Sequence, residues 1–596
     1  MEFAWLSDTH VGATTGAADL SLAVRDINSM DQIDFVIVSG DITETGRSAD
    51  LTLSKSILDS LKRPYFIIPG NHDTKWSETG ATRFSELWGS DKFNFAHRGI
   101  RFIGMHQGPL MRMADGHFSP EDLRWLDSQL ADLSASNGPV VFVTHYPMDS
   151  SVDNWFEFLN RLKQINIVAV LCGHGHANKA YDFEGIPGVM GRSTLRRNAG
   201  RGGYHIVRID SDSLRFFERV TGVKTLPAWL ALPMRAVRAG SDTTRPIAPD
   251  FSVNQRYPRV SEIWSFDAQF TIASTPLVTE GVVVVGNSNG TVFGLSLDHG
   301  SELWRFQTGN AIYSSPAGER GNVVFGSADH HIYCLDARTG NLVWRYKTGA
   351  PVLAAPTIAS GMIYIGGSDG IFRAIQLDTG QLVWQFSGVE GFVETKALVY
   401  CDKVIFGAWD TFLYALHQKD GQLAWRWSNQ SPSKLFSPAA CWPVAADRKI
   451  FIVAPDRYMT AIHAETGETL WRSNRYRVRE SIGISENSAE CFARCMVDTV
   501  VAFSTRTETP ALIWARHCGF GYDIAPNMPV EKDGTLYFGT KNGFVFALDS
   551  ATGETKWAHR VGVTLINTMT PIDGQRVVLA DMDGRVKMLV DNEGNQ

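Results

Sequence analysis

The chain has 596 residues, 44% of them hydrophobic and 20% charged, which is more than one hydrophobic core supports, so at least two domains are expected. Its formal net charge of -7 carries no basic surplus, and so no nucleic-acid-binding signature and no electrostatic attraction to anionic membranes. Seven cysteines, none adjacent and none in a CxxC, spell out no disulfide framework, and Cys491 and Cys495 lack a second pair to complete a zinc site.

In chain order, the first texture alternates short apolar runs with helical patterns. Phe35-Val36-Ile37-Val38, Tyr65-Phe66-Ile67-Ile68, Val140-Val141-Phe142-Val143 and Ile167-Val168-Ala169-Val170-Leu171 read as buried strands. Amphipathic helices are predicted at 48–62 and at 119–134, the second opened by Ser119 as N-cap and Pro120 at the first helical position. Tyr204–Ile209 and Leu214–Val220 add strands that complete a first domain, residues 1–222. Its predicted architecture is α+β: two sheets between helical layers, an α/β/β/α sandwich. Residues 223–257 have no clear period and include Pro227, Pro233, Pro246 and Pro249, so they read as a linker or as a segment over the domain junction. No apolar run approaches the ~20 residues of a membrane helix, so no transmembrane segment is expected. The N-terminus has no basic stretch leading into an apolar one. The compartment reads as cytoplasmic for the sequence as it stands, and as periplasmic or exported if a signal peptide has been trimmed.

From 258 to 594 the chain repeats. Tryptophans fall at 264, 304, 344, 384, 425, 471, 514 and 557, most with glycine four residues earlier, as in Gly340-Asn341-Leu342-Val343-Trp344. Each unit holds four β-rich runs separated by Gly, Asp and Asn turns, the pattern of one propeller blade. Trp264 ends a strand with no three strands before it, whereas Met569–Asp591 supplies three with no Trp strand after them. Joining the two halves closes an eighth blade and removes the exposed sheet edges. Eight blades is the predicted count; seven with a damaged repeat is the alternative, because the 471–514 unit is degenerate.

Five short motifs in the first domain carry chemistry: Asp8-Thr9-His10, Gly40-Asp41, Gly70-Asn71-His72-Asp73, Thr144-His145 and Gly173-His174-Gly175-His176. Each follows an apolar strand, so all are expected to open onto one sheet edge, where α/β folds build their sites. They offer nitrogen and oxygen but no thiolate, a donor set for Mn, Fe or Zn, and their eight potential ligands are about twice what one tetrahedral zinc needs. Two cations clamp a phosphate ester and make a hydroxide available near neutral pH. A ligand shared between them must be a carboxylate, and Asp41 is of that type. His72 suits proton donation to a departing alkoxide.

The order and spacing DxH, GD, GNHD, H and GHxH resemble the calcineurin-like metallophosphoesterases over residues 3 to about 220. The GNHD form and the loop lengths are nearest the cyclic-nucleotide phosphodiesterase and purple-acid-phosphatase branches, although Ile42 and Thr43 stand where a purple-acid tyrosine is absent. The resemblance implies that Asp8, His10 and His176 hold one divalent or trivalent metal. It implies that Asn71, His145 and His174 hold a second, that Asp41 bridges them, and that His72 sits at the leaving group without ligating metal. His106 and His117, in a segment between a strand and a helix, and Arg192 and Arg196, in a basic stretch with Arg197 and Arg201, are candidate substrate contacts, with incidental surface positions as the alternative. Asp73 is expected to orient a neighbour.

The repeats resemble quinoprotein-like eight-bladed propellers. The adjacent cysteine pair and the calcium-binding and catalytic Asp block of the dehydrogenases in that group are not found, so no quinone is expected. The propeller reads as a binding or positioning module, with a protein or a glycan as possible ligand. The function expected is metal-dependent hydrolysis of a phosphate ester, a diester before a monoester. The alternative is a propeller-dominated binding or assembly protein with vestigial hydrolysis, against which the intact ligand set argues.

Overall fold

The apolar runs become strands wherever a β-branched or aromatic stretch is short enough to be crossed by a sheet and is bounded by turn residues. The computed structural model describes residues 1–596 except 112, 134–137, 164, 199, 235–248 and 593–596. It divides into one unit from Met1 to Pro249 and another from Asp250 to Gln596.

The first unit runs β1 (Glu2–Leu6), α1 (Gly16–Asn28), β2 (Ile33–Ser39), α2 (Ser48–Leu58), β3 (Tyr65–Ile68), α3 (Asn71–Thr74), α4 (Thr82–Trp88), β4 (Lys92–His97), β5 (Ile100–Met105), α5 (Pro120–Leu133), β6 (Val140–Val143), α6 (Trp155–Leu162), β7 (Ile167–Cys172), β8 (Lys179–Phe183), β9 (Ile186–Met190), β10 (Gly203–Ile209), β11 (Ser213–Val220) and β12 (Lys224–Pro233). The strands form two six-stranded sheets, in the orders β12-β11-β10-β1-β2-β3 and β4-β5-β6-β7-β9-β8. β1, β2 and β3 are parallel neighbours, as are β5, β6 and β7, so each sheet aligns three carboxyl ends in one direction.

Alternation along β1 shows how the layers stack. Phe3 and Trp5 point into the space between the sheets, where they meet Phe35, Phe102, Val141 and Leu171. Ala4 and Leu6 point the other way, onto Leu20, Val24 and Ile27 of α1 and Leu51 of α2. On the far side, Ile103, Phe142 and Val170 pack on Leu126 and Leu130 of α5 and Phe158 and Leu162 of α6. This is the α/β/β/α sandwich. Ser119 caps α5, its Oγ accepting the Asp122 N–H at 3.1 Å.

The stretch 223–257, read as a linker or a segment over the domain junction, holds regular structure at both ends. Lys224–Pro233 is a strand on β11, and Val253–Arg256 is a short helix of the second unit. Pro227 and Pro233 are tolerated because β12 is an edge strand, where a missing N–H breaks no ladder. Residues 235–248 of that stretch, and 593–594 of the expected second domain, lie outside the described residues.

The second unit holds eight four-stranded sheets. The eighth is closed by Val260–Asp267 pairing antiparallel with Arg585–Asp591, from the two ends of the unit. The Gly-x₃-Trp signature now has a cause. Gly340, at φ +70°, lies under the Trp304 ring of the preceding blade, where a Cβ would come within 2.5 Å of it. The Trp304 indole N–H donates to Ala337 O at 3.0 Å, and Trp264, Trp344 and Trp384 repeat this bond to Leu297, Leu377 and Gln418. The degenerate unit still forms a full blade from Val478 to Tyr522. It lacks the glycine, and the buried indole nitrogen of Trp471 beside it has no hydrogen-bond partner among the described residues.

Candidate metal centre

The five motifs leave the carboxyl ends of β1, β2, β3, β6 and β7 and meet. The loops after β1 and β2 are tied together by Asp8 N–H to Gly40 O and His10 N–H to Asp41 O, both 3.0 Å, and those after β6 and β7 by Gly173 N–H to His145 O at 2.9 Å. These turns are tight enough to drive Asp8, His10, Asp41, His174 and His176 into positive φ, between 47° and 69°, where few residues other than glycine rest. Glycine is required where backbones nearly touch. At Gly70 a Cβ would lie 2.3 Å from Asp41 N and Oδ1, and at Gly173 it would lie 1.9 Å from Ser7 Oγ.

Among the described residues the donor atoms fall into three groups: His10, Glu44 and His72 make one, and the other two share the Asp41 carboxylate. Asp8, His10, Asp41 and His176 each offer a ligand atom, all within 4.8 Å of one another, and Asp41, His145 and His174 do the same. In the first group His176 Nε2 is 3.1 Å from Asp8 Oδ1 and 3.2 Å from His10 Nε2. In the second, His145 Nε2 is 3.1 Å from Asp41 Oδ2, and Asn71 Oδ1 is 3.0 Å from both His145 Nε2 and His174 Nδ1. His72 stands beside them. Its backbone N–H donates to Asp41 Oδ1 at 2.8 Å, and its Nδ1–H donates to Glu44 O at 2.7 Å.

Three observations test whether these residues fit bound cations, and all favour it. Asp8 and Asp41 are buried, and among the described residues neither pairs with a lysine or arginine. A buried carboxylate pair without a counter-cation is costly, so the site is built for positive charge. The imidazoles are also held from behind: His145 Nδ1 faces Ser39 O at 2.8 Å and His10 Nδ1 lies 3.0 Å from Glu44 Oε2, which turns each Nε2 toward the centre. Finally, the electrostatics keep the carboxylates ionised. Burial opposes charge on Asp41, yet the charges of His145 and His72 and the His145 hydrogen bond hold it far below the usual range. Burial is the largest single influence on His145 and lowers it, but the charge and hydrogen bond of Asp41, the Asp8 charge and the Ser39 carbonyl together push it up to about 9, whereas burial and the charge of His145 bring His174 down to about 4.

Asp73 does orient a neighbour. Its carboxylate accepts the N–H groups of Gly70, Ile42 and Thr43, which locks the Asp41 loop to the Asn71 loop. The four expected substrate contacts are committed elsewhere. Arg192 pairs with Glu218 at 2.6 Å and Arg196 with Asp19 at 2.6 Å. His106 donates to Asp91 at 3.0 Å and accepts the Gly108 N–H, while His117 lies 2.8 Å from Asp153. Their spacing in sequence carried no trace of these partners, which come from distant strands and helices.

Other residues were missed. Glu44, three residues past Asp41, supports two histidines at once. Gln107 is fully buried, and its Oε1 accepts the N–H of His145 at 3.0 Å, clamping that ligand's backbone. Arg197, by contrast, belongs to the basic stretch legible in sequence with Arg192 and Arg196; among the described residues it has no carboxylate partner, and its Nη2 donates to the carbonyl of His176 at 2.5 Å, at the rim of the first donor group.

A buried nitrogen and oxygen donor set at the carboxyl edges of two packed sheets defines a metal-dependent hydrolase. Residues 1–178 match the family model described as calcineurin-like phosphoesterase, and residues 260–316, 288–434, 413–512 and 498–596 match that of the outer membrane protein assembly factor BamB. A glycerophosphodiester phosphodiesterase GpdQ of Enterobacter lignolyticus is 30% identical over 30% of this chain and 71% of its own. A probable cyclic nucleotide phosphodiesterase of Fibrobacter succinogenes is 25% identical over 30% of this chain and 74% of its own. BamB of Yersinia pestis is 26% identical over 32% of this chain and 49% of its own. A crystal structure of BamB from Moraxella catarrhalis superposes with a TM-score of 0.46 at 18% identity, over 56% of this chain and 99% of its own. The chain belongs to the calcineurin-like phosphoesterase family, and its second unit is a BamB-type repeat propeller.

Proposed function

We propose that the protein is a phosphodiesterase whose two Asp41-sharing donor groups each hold one divalent or trivalent cation, Mn, Fe or Zn, with Asp41 bridging them. The observation that carries this is the sharing of one carboxylate by both groups. Asp8, His10, Asp41 and His176 would hold the first cation, and Asp41, Asn71, His145 and His174 the second. Bound there, the pair would supply Lewis acidity toward the phosphoryl oxygens. The named relatives that hydrolyse diesters support the same class of substrate. At the rim, the exposed Arg197 guanidinium would meet an anionic substrate.

His72 is assigned the proton at the leaving oxygen. Because its Nδ1–H is spent on Glu44 O, Nε2 can deliver a proton only from the imidazolium form. The Asp41 Oδ1 bond to the His72 amide holds that residue beside the site. The propeller is assigned binding or positioning of substrate or partner, and no quinone is part of this reading.

The test is metal analysis with hydrolysis of bis-p-nitrophenyl phosphate and p-nitrophenyl phosphate. The wild type should turn over the diester faster than the monoester with Mn, Fe or Zn supplied. Asp41→Ala should lose activity together with one or both metals. A wild type inactive on both esters, or an active Asp41→Ala, overturns the proposal.

A further inference from the structure

His10 stands between two sets of donors. Its Nε2 faces the buried side, 3.2 Å from His176 Nε2 and 4.0 Å from Asp41 Oδ2, while its Nδ1 lies 3.0 Å from Glu44 Oε2. On the Nδ1 side, His10, Glu44 and His72 form a donor group of their own, with ligand atoms all within 4.8 Å of one another. The setting of this group differs from that of the other two. Asp8 and Asp41 are buried, whereas the Glu44 side chain is 38% exposed and His72 is half-buried, so solvent and dissolved cations reach it directly.

The bonds already made decide which atoms remain for a ligand. His72 Nδ1–H donates to Glu44 O at 2.7 Å, so Nε2 is its one free ring nitrogen. The Glu44 carboxylate turns Oε2 toward His10, and among the described residues its Oε1 makes no hydrogen bond and no lysine or arginine pairs with it. The His10 and His72 rings meet edge to face with centroids 4.8 Å apart, which keeps both imidazoles beside that one carboxylate. Imidazole nitrogen with carboxylate oxygen suits a borderline cation such as Zn or Mn. Glu44 and His72 can give themselves outright. His10 joins them only by losing its Nδ1 proton, because its Nε2 serves the buried set. Two firm ligands, against four donors at each buried site, and repulsion from cations held there make this the weaker position.

We propose that Glu44 and His72 form a third, exchangeable site for a divalent cation of the Zn or Mn class, filled once the buried pair is full. Its occupant takes the His72 nitrogen that faces the leaving oxygen, so excess metal lowers turnover. This consequence rests on the phosphodiesterase reading, with two buried cations and His72 at the leaving oxygen.

The test counts metal in the full-length protein. The stripped chain is titrated with Zn(II) by equilibrium dialysis and metal analysis. Wild type should bind two tight equivalents and a third at least about tenfold more weakly, and Glu44→Gln should lack the third. Diethyl pyrocarbonate follows the same event without a substitution. Acylation of His72, read by peptide mass, should proceed in the protein carrying two equivalents and fall in step with the third. Hydrolysis of bis-p-nitrophenyl phosphate should rise over the first two equivalents and decline over the third. Two tight equivalents with no third overturn this proposal alone. So does a third equivalent that leaves His72 reactive or turnover undiminished. Fewer than two tight equivalents in the wild type overturn the reading of the buried pair, and this proposal with it.

Discussion

Replacing Gly70 by alanine isolates the packing that holds the shared carboxylate. Gly70 has φ -110° and ψ -172°, extended backbone that alanine adopts freely, so the change introduces no backbone strain. Its new Cβ would sit 2.3 Å from both the amide nitrogen and Oδ1 of Asp41. Restoring ordinary contact requires a displacement of about 1 Å, and the atoms that must move belong to the residue both donor groups share. A misplacement of that size at a reacting centre costs about 10²-fold in rate, or about 2.7 kcal/mol of transition-state stabilisation. The assay is kcat/KM on bis-p-nitrophenyl phosphate with metal content measured on the same sample. Gly89→Ala is the control, because Gly89 has φ +79° and open space around it. It should lower stability by about 1 kcal/mol with unchanged kcat/KM. A Gly70→Ala protein with wild-type metal content and kcat/KM would refute the argument that this close approach sets the Asp41 position.

Glu44→Gln removes the carboxylate behind His10, and metal affinity or kcat should fall about 10–100-fold, as read by metal titration of the stripped protein. Unchanged affinity would remove Glu44 from the site. Arg197→Ala should raise KM for an anionic diester about tenfold while kcat stays within about twofold, and equal losses in both would assign it to the transition state instead. Arg219→Met tests the pH dependence of the first unit's stability. Burial raises the Asp26 pKa, but hydrogen bonds from Arg219 and Tyr204 bring it below its ordinary value, so its contribution is complete above the unfolded pKa and is lost as pH falls through the folded one. The variant should lose about 3 kcal/mol near neutrality. That deficit should shrink only as pH falls below the ordinary carboxylate value near ~4 and through the lowered pKa of Asp26 in the folded wild type, where the carboxyl becomes protonated there too. A pH-independent deficit in calorimetry would count against this assignment.

The fold was legible wherever pattern and packing coincide. Phe35–Val38 and Ile167–Leu171 are buried on both faces, so continuous apolar runs sufficed, and the Gly-x₃-Trp spacing reports a contact between neighbouring blades rather than a local preference. Lys224–Pro233 was illegible because an edge strand that is largely exposed shows no apolar alternation and tolerates proline. At the site, the ligands announced themselves as short motifs at strand ends. Their supports did not, because Glu44 and Gln107 act through a carboxylate and an amide that appear in sequence as ordinary polar residues. Arg192 and Arg196 looked equal to Arg197 until Glu218 and Asp19, each far away in sequence, took the first two.

The same turns that made the motifs visible have an energetic consequence. Asp8, His10, Asp41, His174 and His176 all lie at positive φ, each at a cost of order 1 kcal/mol or more relative to relaxed backbone. Local bonds offset part of this: Ser7 Oγ–H to Asp8 Oδ2 at 2.6 Å, the His174 amide to Asp8, and the paired loop bonds from Asp8 and His10. What remains is strain and buried negative charge concentrated on one cluster, and bound cations would relieve the charge without any backbone movement. Metal binding should therefore stabilise the first unit selectively. Stripping the metals should lower its unfolding transition while leaving that of the propeller in place, since no candidate ligand group lies in the propeller among the described residues. Equal shifts of both transitions on chelation would refute this reading of the site as the strained and charged element of the fold.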